Sequence, residues 1–391
     1  MKHPRSSTHS TAAPEERAYL VAVEPRGRHD GLSADDSLEE LELLAHTAGA
    51  EVVGRAVQRL DSPNPAIYIG KGKLDEVIAE RPASEYTMVL FDDELSPSQQ
   101  RNLEKALSVK VLDRTALIID IFAKRAQTKE ARLQVELAQS QYLLPRLAGQ
   151  WSHLERLEGR IGTRGPGETQ LETDRRLVRD RITRLRRQLE EVKQQRSLYR
   201  RRRTRQGVPV VALVGYTNAG KSTLMRALSG AEVFTEDLLF ATLDPVTRRI
   251  NLPSGAGALL TDTVGFIQKL PTQLVAAFRA TLEELADADL VLHVVDITHP
   301  NADDQFETVQ RTLSELGLED KPVIVAFNKL DLIAGADGDQ PVGLDDLEST
   351  LARQHPDAVL ISAARKWGLP ALLQRIEKVL AEARGGEPAA V

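Results

Sequence analysis

The stretch Val208 to Leu228 reads VPVVALVGYTNAGKSTLMRAL and decides the fold of the second half of the chain. Its apolar beginning, Val208 to Val214, predicts a strand. Gly215 to Ser222 then follows the GxxxxGKS pattern, and Thr223 to Leu228 predicts the start of a helix. A glycine-rich turn that only happens to contain lysine would not need a strand before it and a helix after it. The stretch therefore predicts a phosphate-binding loop for a nucleoside triphosphate.

Each residue type in this loop has a chemical reason. Glycines let the backbone curl so that successive N–H groups face a β-phosphate. Lys221 supplies a point charge to the β and γ oxygens, and the Ser222 hydroxyl can ligate Mg²⁺. The residues predicted to contact the nucleotide here are Gly215, Tyr216, Thr217, Asn218, Ala219, Gly220, Lys221, Ser222 and Thr223.

The base is predicted from a second motif, Asn-Lys-Leu-Asp, which follows the apolar run Val323 to Phe327. The Asp331 carboxylate can accept two hydrogen bonds from the ring N–H and the amine of guanine, which adenine cannot donate at that edge. A short loop after Ala358 to Leu360 fits the back of the guanine ring. The predicted base contacts are Asn328, Lys329, Asp331, Ser362 and Ala363.

Two segments between these motifs are candidates for sensing the γ-phosphate. Leu259 to Gly265 reads LLTDTVG, so Asp262 can reach Mg²⁺ through water and the Gly265 N–H can meet the γ-phosphate. Phe240 to Asp244 offers Thr242 as the threonine that closes on Mg²⁺, although a threonine between strands is also a common structural residue. The predicted catalytic residues are Lys221, Thr242 and Gly265, and the predicted Mg²⁺ ligands are Ser222 and Thr242.

The ordered set GYTNAGKST, FATLD, DTVGF, NKLD and SA resembles the G domain of the HflX family of translational GTPases. Upstream, Tyr68 to Lys73 resembles the N-terminal glycine motif of that family, and Gly162 to Glu172 resembles its linker signature. The match spans Tyr19 to Leu380. The resemblance implies a two-domain GTPase that uses GTP, GDP and Mg²⁺, binds the large ribosomal subunit and its RNA, and acts on stalled or idle ribosomes.

The residue after Gly265 is Phe266, where Ras-like switches have the glutamine that orients the attacking water. Intrinsic hydrolysis is therefore expected to be slow, with the water positioned by a backbone group, by a retracted Phe266 or by a partner. In some relatives an asparagine at the position of Asn218 helps to hold a monovalent cation, which implies K⁺ as a further cofactor. Asn218 could equally be an ordinary turn residue.

Composition bounds the remaining possibilities. The chain has 391 residues, a net charge of -6 and no cysteine, so it cannot form a disulfide framework or a thiolate metal site. Met1 to Arg17 has no apolar centre of the kind that a secretory signal has, and no segment reaches membrane-spanning length. We expect a cytoplasmic protein, a monomer, with no DNA partner and no stable membrane insertion.

Charge is concentrated in one segment. Arg175 to Arg205 carries fourteen Arg or Lys against three acids in an otherwise acidic chain. A helical apolar stripe runs through its first part, at Val178, Ile182, Leu185, Leu189 and Val192. A matching stripe lies upstream, at Leu133, Leu137, Leu144, Leu147 and Leu154. The two predict a helical hairpin across a linker at Gly159 to Gln170, with Pro145 interrupting the first helix. The arginines predict contact with RNA phosphates, against the alternative of a solvated charged face.

The N-terminal region alternates strand and helix patterns, which favours a parallel α/β domain. The predicted strands are Tyr19 to Val23, Val52 to Val57, Ile67 to Ile69, Met88 to Phe91 and Lys110 to Leu112. Gly70 to Lys73 follows one of them and could hold phosphate, but a tight turn or an RNA contact is favoured. Asp92 and Asp93 end a strand as metal ligands could, yet a solvated turn is favoured. His293, inside an apolar run, is interpreted as a core residue.

The expected fold is α/β, with an N-terminal parallel α/β domain, a helical hairpin and a Ras-like P-loop GTPase domain. The predicted boundaries are a disordered tail at 1–17, the α/β domain at 18–126, the basic hairpin with its glycine-rich linker at 127–205, the GTPase domain at 206–381 and a tail at 382–391. The expected function is a GTP-hydrolysing switch that acts on the ribosome and is stimulated by it. Two alternatives stay open: an RNA-binding or ribosome-assembly scaffold with GTP as a structural ligand, and an ATP-driven RNA-remodelling enzyme.

Overall fold

The computed structural model describes residues 16–27, 33–147, 166–205, 207–230, 239–240, 242–269, 285–333, 355 and 358–383. Within the helix 166–205, side chains are described for 172–195. The described chain forms two compact units, one ending at Leu117 and the other beginning at Ile118. The predicted tails at 1–17 and 382–391 lie almost entirely outside the described residues, as does most of the glycine-rich linker.

The first unit is built on a four-stranded sheet in the order β2-β1-β3-β4, in which every pairing is parallel. Its strands are β1 (Glu16–Pro25), β2 (Ala50–Leu60), β3 (Met88–Phe91) and β4 (Lys110–Asp113). Its helices are α1 (Ala34–Ala48), α2 (Lys71–Ser84) and α3 (Pro97–Leu107), and α4 (Arg114–Arg125) follows β4 directly. Successive residues of the central strands are buried, as in β1 from Ala18 to Val23. That pattern is typical of a parallel sheet covered on both faces.

One strand prediction in this unit is wrong. Ile67 to Ile69 belongs to a tight turn, in which Asn64 and Tyr68 exchange backbone hydrogen bonds of 2.8 and 2.9 Å. The Asn64 side chain also accepts hydrogen bonds from the N–H groups of Ala66 and Ile67. An asparagine that satisfies the backbone locally in this way favours a turn over a strand ladder.

The predicted helical hairpin is present in the second unit. Helix α5 (Lys129–Leu143) packs against α6 (Pro166–Arg205). The shared apolar cluster has Leu133, Leu137, Ile182 and Leu185 at its centre and Leu144, Val178, Leu189 and Val192 at its edge. Helix α5 ends two residues before Pro145, as predicted, because a proline has no backbone N–H with which to continue the helical hydrogen bonds. Residues 166–170 were expected in the linker but belong to α6, which begins at a proline as helices often do.

The rest of this unit is a six-stranded sheet in the order β10-β9-β8-β5-β7-β6, parallel except for the antiparallel edge strand β6. Its strands are β5 (Val210–Gly215), β6 (Val246–Asn251), β7 (Gly257–Asp262), β8 (Leu290–Asp296), β9 (Val323–Asn328) and β10 (Val359–Leu360). Its helices are α7 (Lys221–Ser229), α8 (Ala302–Glu315) and α9 (Leu369–Ala383). The predicted α/β class is confirmed. None of the helices within the described ranges is long and apolar enough to span a bilayer.

Candidate functional site

The phosphate loop connects β5 to α7 at the centre of the second sheet. Gly215 has a φ of 151°, and a Cβ there would lie 2.3 Å from the carbonyl oxygen of Val294. Gly220 has a φ of 94° and caps α7, and a Cβ there would lie 2.2 Å from the amide nitrogen of Asn328. Both positions favour glycine, because each has a φ that other residues rarely adopt and each lies against a neighbouring atom, a backbone carbonyl at Gly215 and a side-chain amide at Gly220.

Lys221 is the buried cation of this loop, with 6% of its surface exposed. Its ammonium group donates hydrogen bonds to the carbonyl oxygens of Gly215, at 3.1 Å, and Tyr216, at 2.7 Å. Burial lowers the pKa of Lys221 to about 8, although the charge of Asp262 opposes that shift. A cation held in this way has a strong preference for an anionic partner, and phosphate oxygens are better acceptors for it than backbone carbonyls.

Three side chains from distant segments meet beside the lysine. The hydroxyls of Ser222 and Thr242 lie 3.0 Å apart, and both donate to the same Asp262 oxygen, at 2.7 and 2.9 Å. Burial raises the pKa of Asp262, while Lys221 and the two hydroxyls counteract the rise. The other carboxylate oxygen of Asp262 is buried and has no hydrogen-bond partner among the described residues. Two hydroxyls and an incompletely satisfied carboxylate form a hard oxygen set, which fits Mg²⁺.

The segment after β7 lies against the phosphate loop. A Cβ at Gly265 would come within 2.9 Å of the Thr217 side chain and 3.0 Å of the Lys221 ammonium group. Backbone hydrogen bonds join Thr217 to Phe266 at 2.8 Å and Phe266 to Gly215 at 3.1 Å. The Tyr216 hydroxyl also accepts a 2.8 Å hydrogen bond from the Gln268 N–H. The Gly265 backbone is therefore held close to the loop, where it can face a γ-phosphate.

Phe266 is retracted from this cluster. Its side chain is 2% exposed and packs in a core that includes Val214, Leu285 and Val291. It cannot orient a water molecule. Asn218, by contrast, is exposed and adopts a left-handed φ of 60° within the loop.

The predicted base-recognition residues converge from β9 and from the loop after β10. The Asn328 side chain donates to the carbonyl oxygen of Ala219 at 2.8 Å and accepts from the Ala363 N–H at 2.9 Å. It thereby joins the phosphate loop to the loop after β10, which we call the base loop. Ser362 donates to Asp331 at 2.6 Å, so the serine fixes the orientation of that carboxylate.

Lys329 directly follows β9. It adopts a φ of 69°, and its ammonium group lies 2.7 Å from Asp296. A cavity of about 280 Å³ lies between α7 and the loop after β10, and its lining includes Thr223, Arg226 and Ala363. The residues predicted from separate motifs thus lie at the carboxyl ends of strands of one sheet, where hydrogen bonds join them.

The acidic pair after β3 has a different environment from the favoured prediction. Asp92 is 1% exposed and lies 2.5 Å from Arg114, which also pairs with Glu40 at 2.5 Å. The interpretation as a solvated turn is thus wrong for Asp92, because a buried arginine neutralises it. No group of side chains suited to a metal ion occurs among the described residues of either unit outside the cluster around Asp262. His293 is a buried core residue, as predicted.

Helix α6 presents a basic surface over its described part. The exposed arginines without an ion-pair partner among the described side chains are Arg176, Arg179, Arg184 and Arg186. Arg181 pairs with Glu136 at 2.7 Å, and Arg187 lies 3.8 Å from Glu191. Four arginines on this surface are therefore left for an external anion.

Three family models match consecutive parts of the chain. Residues 35–123 match the family described as GTP-binding GTPase N-terminal, residues 125–203 its Middle Region, and residues 210–329 the family described as 50S ribosome-binding GTPase.

Whole-chain relatives agree with these matches. A GTPase HflX of Caldanaerobacter subterraneus subsp. tengcongensis is 50% identical over 94% of this chain and 82% of its own length. A GTPase HflX of Escherichia coli is 44% identical over 88% of this chain and 79% of its own length. Among solved structures, a GTP-binding protein from the hyperthermophilic archaeon Sulfolobus solfataricus in complex with GDP is 27% identical over 94% of this chain and 99% of that chain, with a TM-score of 0.47.

Proposed function

The chain belongs to the HflX family of GTPases, and we propose that it works as a GTP-controlled switch on the large ribosomal subunit. In this proposal the GTP-bound form binds the subunit through ribosomal RNA and acts on stalled or idle ribosomes, by dissociation or rescue. Hydrolysis of GTP then times release. The protein would act in the cytoplasm as a monomer.

We propose that Ser222, Thr242 and Asp262, which together form the hydroxyl cluster, distinguish GTP from GDP. Ser222 and Thr242 would hold Mg²⁺, with Asp262 beside them, and the bound cation would neutralise charge on the β and γ phosphate oxygens. Lys221 would stabilise the charge that develops between those phosphates. The Gly265 N–H would donate to the γ-phosphate, because its backbone already lies against the phosphate loop.

The missing glutamine motivates a second part of the proposal. Since Phe266 is buried in the core, no side chain at that position is available to orient water, and intrinsic turnover should be slow. We propose that K⁺ beside Asn218 supplies part of the missing positive charge. Turnover should then be faster in potassium than in sodium at matched ionic strength, and Asn218→Ala should remove the difference. Equal rates of the parent in both salts would exclude the cation.

The observation that carries the ribosomal proposal is the basic surface of α6. Arginines that the described side chains leave without an acidic partner lie along one long helix, and phosphates of an RNA backbone would neutralise them. Each such contact releases counterions when it forms. The description of the family that matches residues 210–329 points to the same partner.

Charge reversal tests this surface. Replacing Arg184, Arg187 and Arg201 with Glu should weaken sedimentation with large subunits in the presence of a non-hydrolysable GTP analogue. The slope of log K against log salt should fall by up to about three, one for each phosphate that is no longer neutralised. A control that reverses Arg55, Arg101 and Arg311 makes the same change in net charge on exposed positions elsewhere and should bind like the parent. Equal affinities and slopes for both triple variants would mean that the arginines of α6 do not contact RNA on the large subunit.

A further inference from the structure

The residue Asp244 connects the GTPase site to the helical hairpin. Its carboxylate accepts hydrogen bonds from the backbone N–H groups of Gln127 and Thr128, both at 3.1 Å. The Thr128 hydroxyl donates to the same carboxylate. These three donors belong to the start of α5, more than one hundred positions earlier in the chain.

The start of α5 therefore has two caps. Thr128 is its N-cap, and its side-chain oxygen accepts from the Ala131 N–H at 3.1 Å. Asp244 adds a negative charge at the same helix end, where the helix dipole and the unpaired N–H groups favour an anion. One carboxylate oxygen accepts both N–H groups and the other accepts the Thr128 hydroxyl, so an asparagine in this place would turn its amide nitrogen towards that hydroxyl and would carry no negative charge.

A second contact supports the first. Phe240, 2% exposed, packs edge-on against the fully buried Phe122 near the end of α4, with the ring centroids 4.6 Å apart. The segment that carries Thr242 is thus held on both sides by residues that precede or begin the hairpin. Leu243, which is 4% exposed, fixes it to the core in between.

The distance from Asp244 to the nucleotide site is short. Thr242 is two residues away, and two residues of extended chain span at most about 7 Å. The Thr242 hydroxyl is hydrogen-bonded to Ser222 and Asp262 in the same structure that holds Asp244 on α5. The hydroxyl cluster and the helix start are therefore engaged together.

We propose that Asp244 is a positioning residue for Thr242, and that through it GTP binding is coupled to the first turn of α5. When Asp244 is bound to Gln127 and Thr128, Thr242 is held where the GTP-bound state needs it. Coupling between two sites is reciprocal, so GTP must stabilise the start of α5 to the same extent that the start of α5 favours GTP. GDP does not require Thr242 and should not share this coupling.

Nucleotide affinities test the first half of the proposal. Titration calorimetry of the full chain in Mg²⁺ should show that Asp244→Asn binds a non-hydrolysable GTP analogue about tenfold more weakly than the parent. The affinity for GDP should change by less than about twofold. Thr128→Ala should produce the same selective loss, Thr128→Ser should behave like the parent, and the double variant should be no weaker than Asp244→Asn alone.

A matched control separates this role from simple helix capping. Ser96 caps α3 in the first unit, where its side chain accepts from the Gln99 N–H at 3.2 Å, and it touches no nucleotide residue. Ser96→Ala removes a cap of the same kind as Thr128→Ala, so it should lower thermal stability similarly. Its preference for the GTP analogue over GDP should equal that of the parent.

Hydrogen exchange tests the second half. In the parent, the backbone amides of Ala131 and Arg132 in the first turn of α5 should exchange more slowly with the GTP analogue than with GDP. In Asp244→Asn the two nucleotides should give the same exchange rate there. An unchanged ratio of the two affinities in Asp244→Asn, or nucleotide-dependent protection of α5 that persists in that variant, would overturn the proposal.

Discussion

The two sheets differ in whether the protein itself pairs the buried charged side chains at the carboxyl ends of their strands. In the first unit, Arg114 after β4 is 2% exposed and neutralises Asp92 after β3 and Glu40 on α1. In the second, Asp262 at the end of β7 keeps one buried oxygen without a hydrogen bond among the described residues, and its nearby cation, Lys221, donates only to backbone carbonyls.

This difference separates structural charge from functional charge. Ligands of open parallel sheets bind outside the carboxyl ends of the strands, so both units offer the same kind of location. In the first unit an arginine of the protein occupies this location, whereas in the second unit a cation and hard oxygen atoms there are available to a ligand. Burial of an acid at a strand end does not identify a site. What identifies it is polar groups that the protein itself does not satisfy.

The largest expected effect would come from breaking the self-satisfied cluster. Arg114→Met should lower the unfolding free energy of the first unit by about 3–5 kcal/mol, because it leaves two buried carboxylates without a cation. Hydrogen exchange of the β1 and β3 amides measures that free energy directly. Arg59→Met is the control, since Arg59 pairs with Glu24 at the surface and should cost less than about 1 kcal/mol. Similar losses in the two variants would remove the distinction between the two regions.

Removal of the buried cation in the second unit should impair ligand binding far more than stability. Lys221→Met should weaken GTP binding by at least about a hundredfold, because several charge-assisted hydrogen bonds to phosphate are removed. The unfolding free energy of the nucleotide-free protein should fall far less than in Arg114→Met, because the burial that lowers the pKa of Lys221 to about 8 offsets the attraction to Asp262 that is lost. Nucleotide titration and exchange of the β5 amides measure the two quantities. A loss of stability without nucleotide as large as that in Arg114→Met would contradict this contrast.

A substitution in the base loop should have an effect that is confined to the choice of base. Asp331→Asn should reduce the preference for GTP over XTP by about 3 kcal/mol, since guanine donors lose their carboxylate and xanthine offers an acceptor to the new amide. Competition between the two nucleotides measures it. Asp303→Asn, at the start of α8, is the control and should keep the parental preference. A parental preference in Asp331→Asn would remove this residue from the base site.

A buried histidine adds a pH effect of about 2 kcal/mol. Burial lowers the pKa of His293 to about 3, and the ring stacks on Phe306 with centroids 4.8 Å apart. Below pH 6.5 His293 is protonated in the unfolded chain but stays neutral in the folded protein. The free energy of unfolding is therefore unaffected by this histidine above pH 6.5 and decreases as the pH falls below that value. Between pH 6.5 and 5.0 the loss should be about 2 kcal/mol.

The control for this effect is a second histidine substitution. His293→Phe should flatten the pH dependence of the unfolding free energy, measured by urea titration at several pH values. His46→Gln, on the solvent side of α1, should leave the parental pH dependence unchanged. The same slope in His293→Phe and the parent would mean that this ring does not govern acid stability.

The site was predictable where one local pattern fixes both backbone and chemistry. Gly215 and Gly220 are required by the curvature of the phosphate loop, and the strand-loop-helix order around them could be read from hydrophobic runs. The motifs around Asp262 and Asn328 end apolar strands of one sheet. Parallel strands place such ends at the same edge, so their convergence follows from the order of the motifs.

Contacts between distant segments were not predictable. Arg114 resembles any surface arginine in the sequence, and only the packing of α1 against the sheet places Glu40 beside it. The capping of α5 by Asp244 and the hydrogen bond from Gln268 to Tyr216 join segments that share no local pattern. The turn at Ile67 was missed because a short apolar run fits a strand equally well until the local hydrogen bonds of Asn64 are known.

The central claim is that the ribosome controls this GTPase, and turnover with purified large subunits tests it most directly. GTP hydrolysis by the full chain should be slow alone and should rise by at least about tenfold with saturating large subunits, with no comparable rise on small subunits. Thr242→Ala should remain slow in both conditions. Turnover that is the same with and without large subunits would contradict the claim and would favour an RNA-binding scaffold in which GTP is a structural ligand.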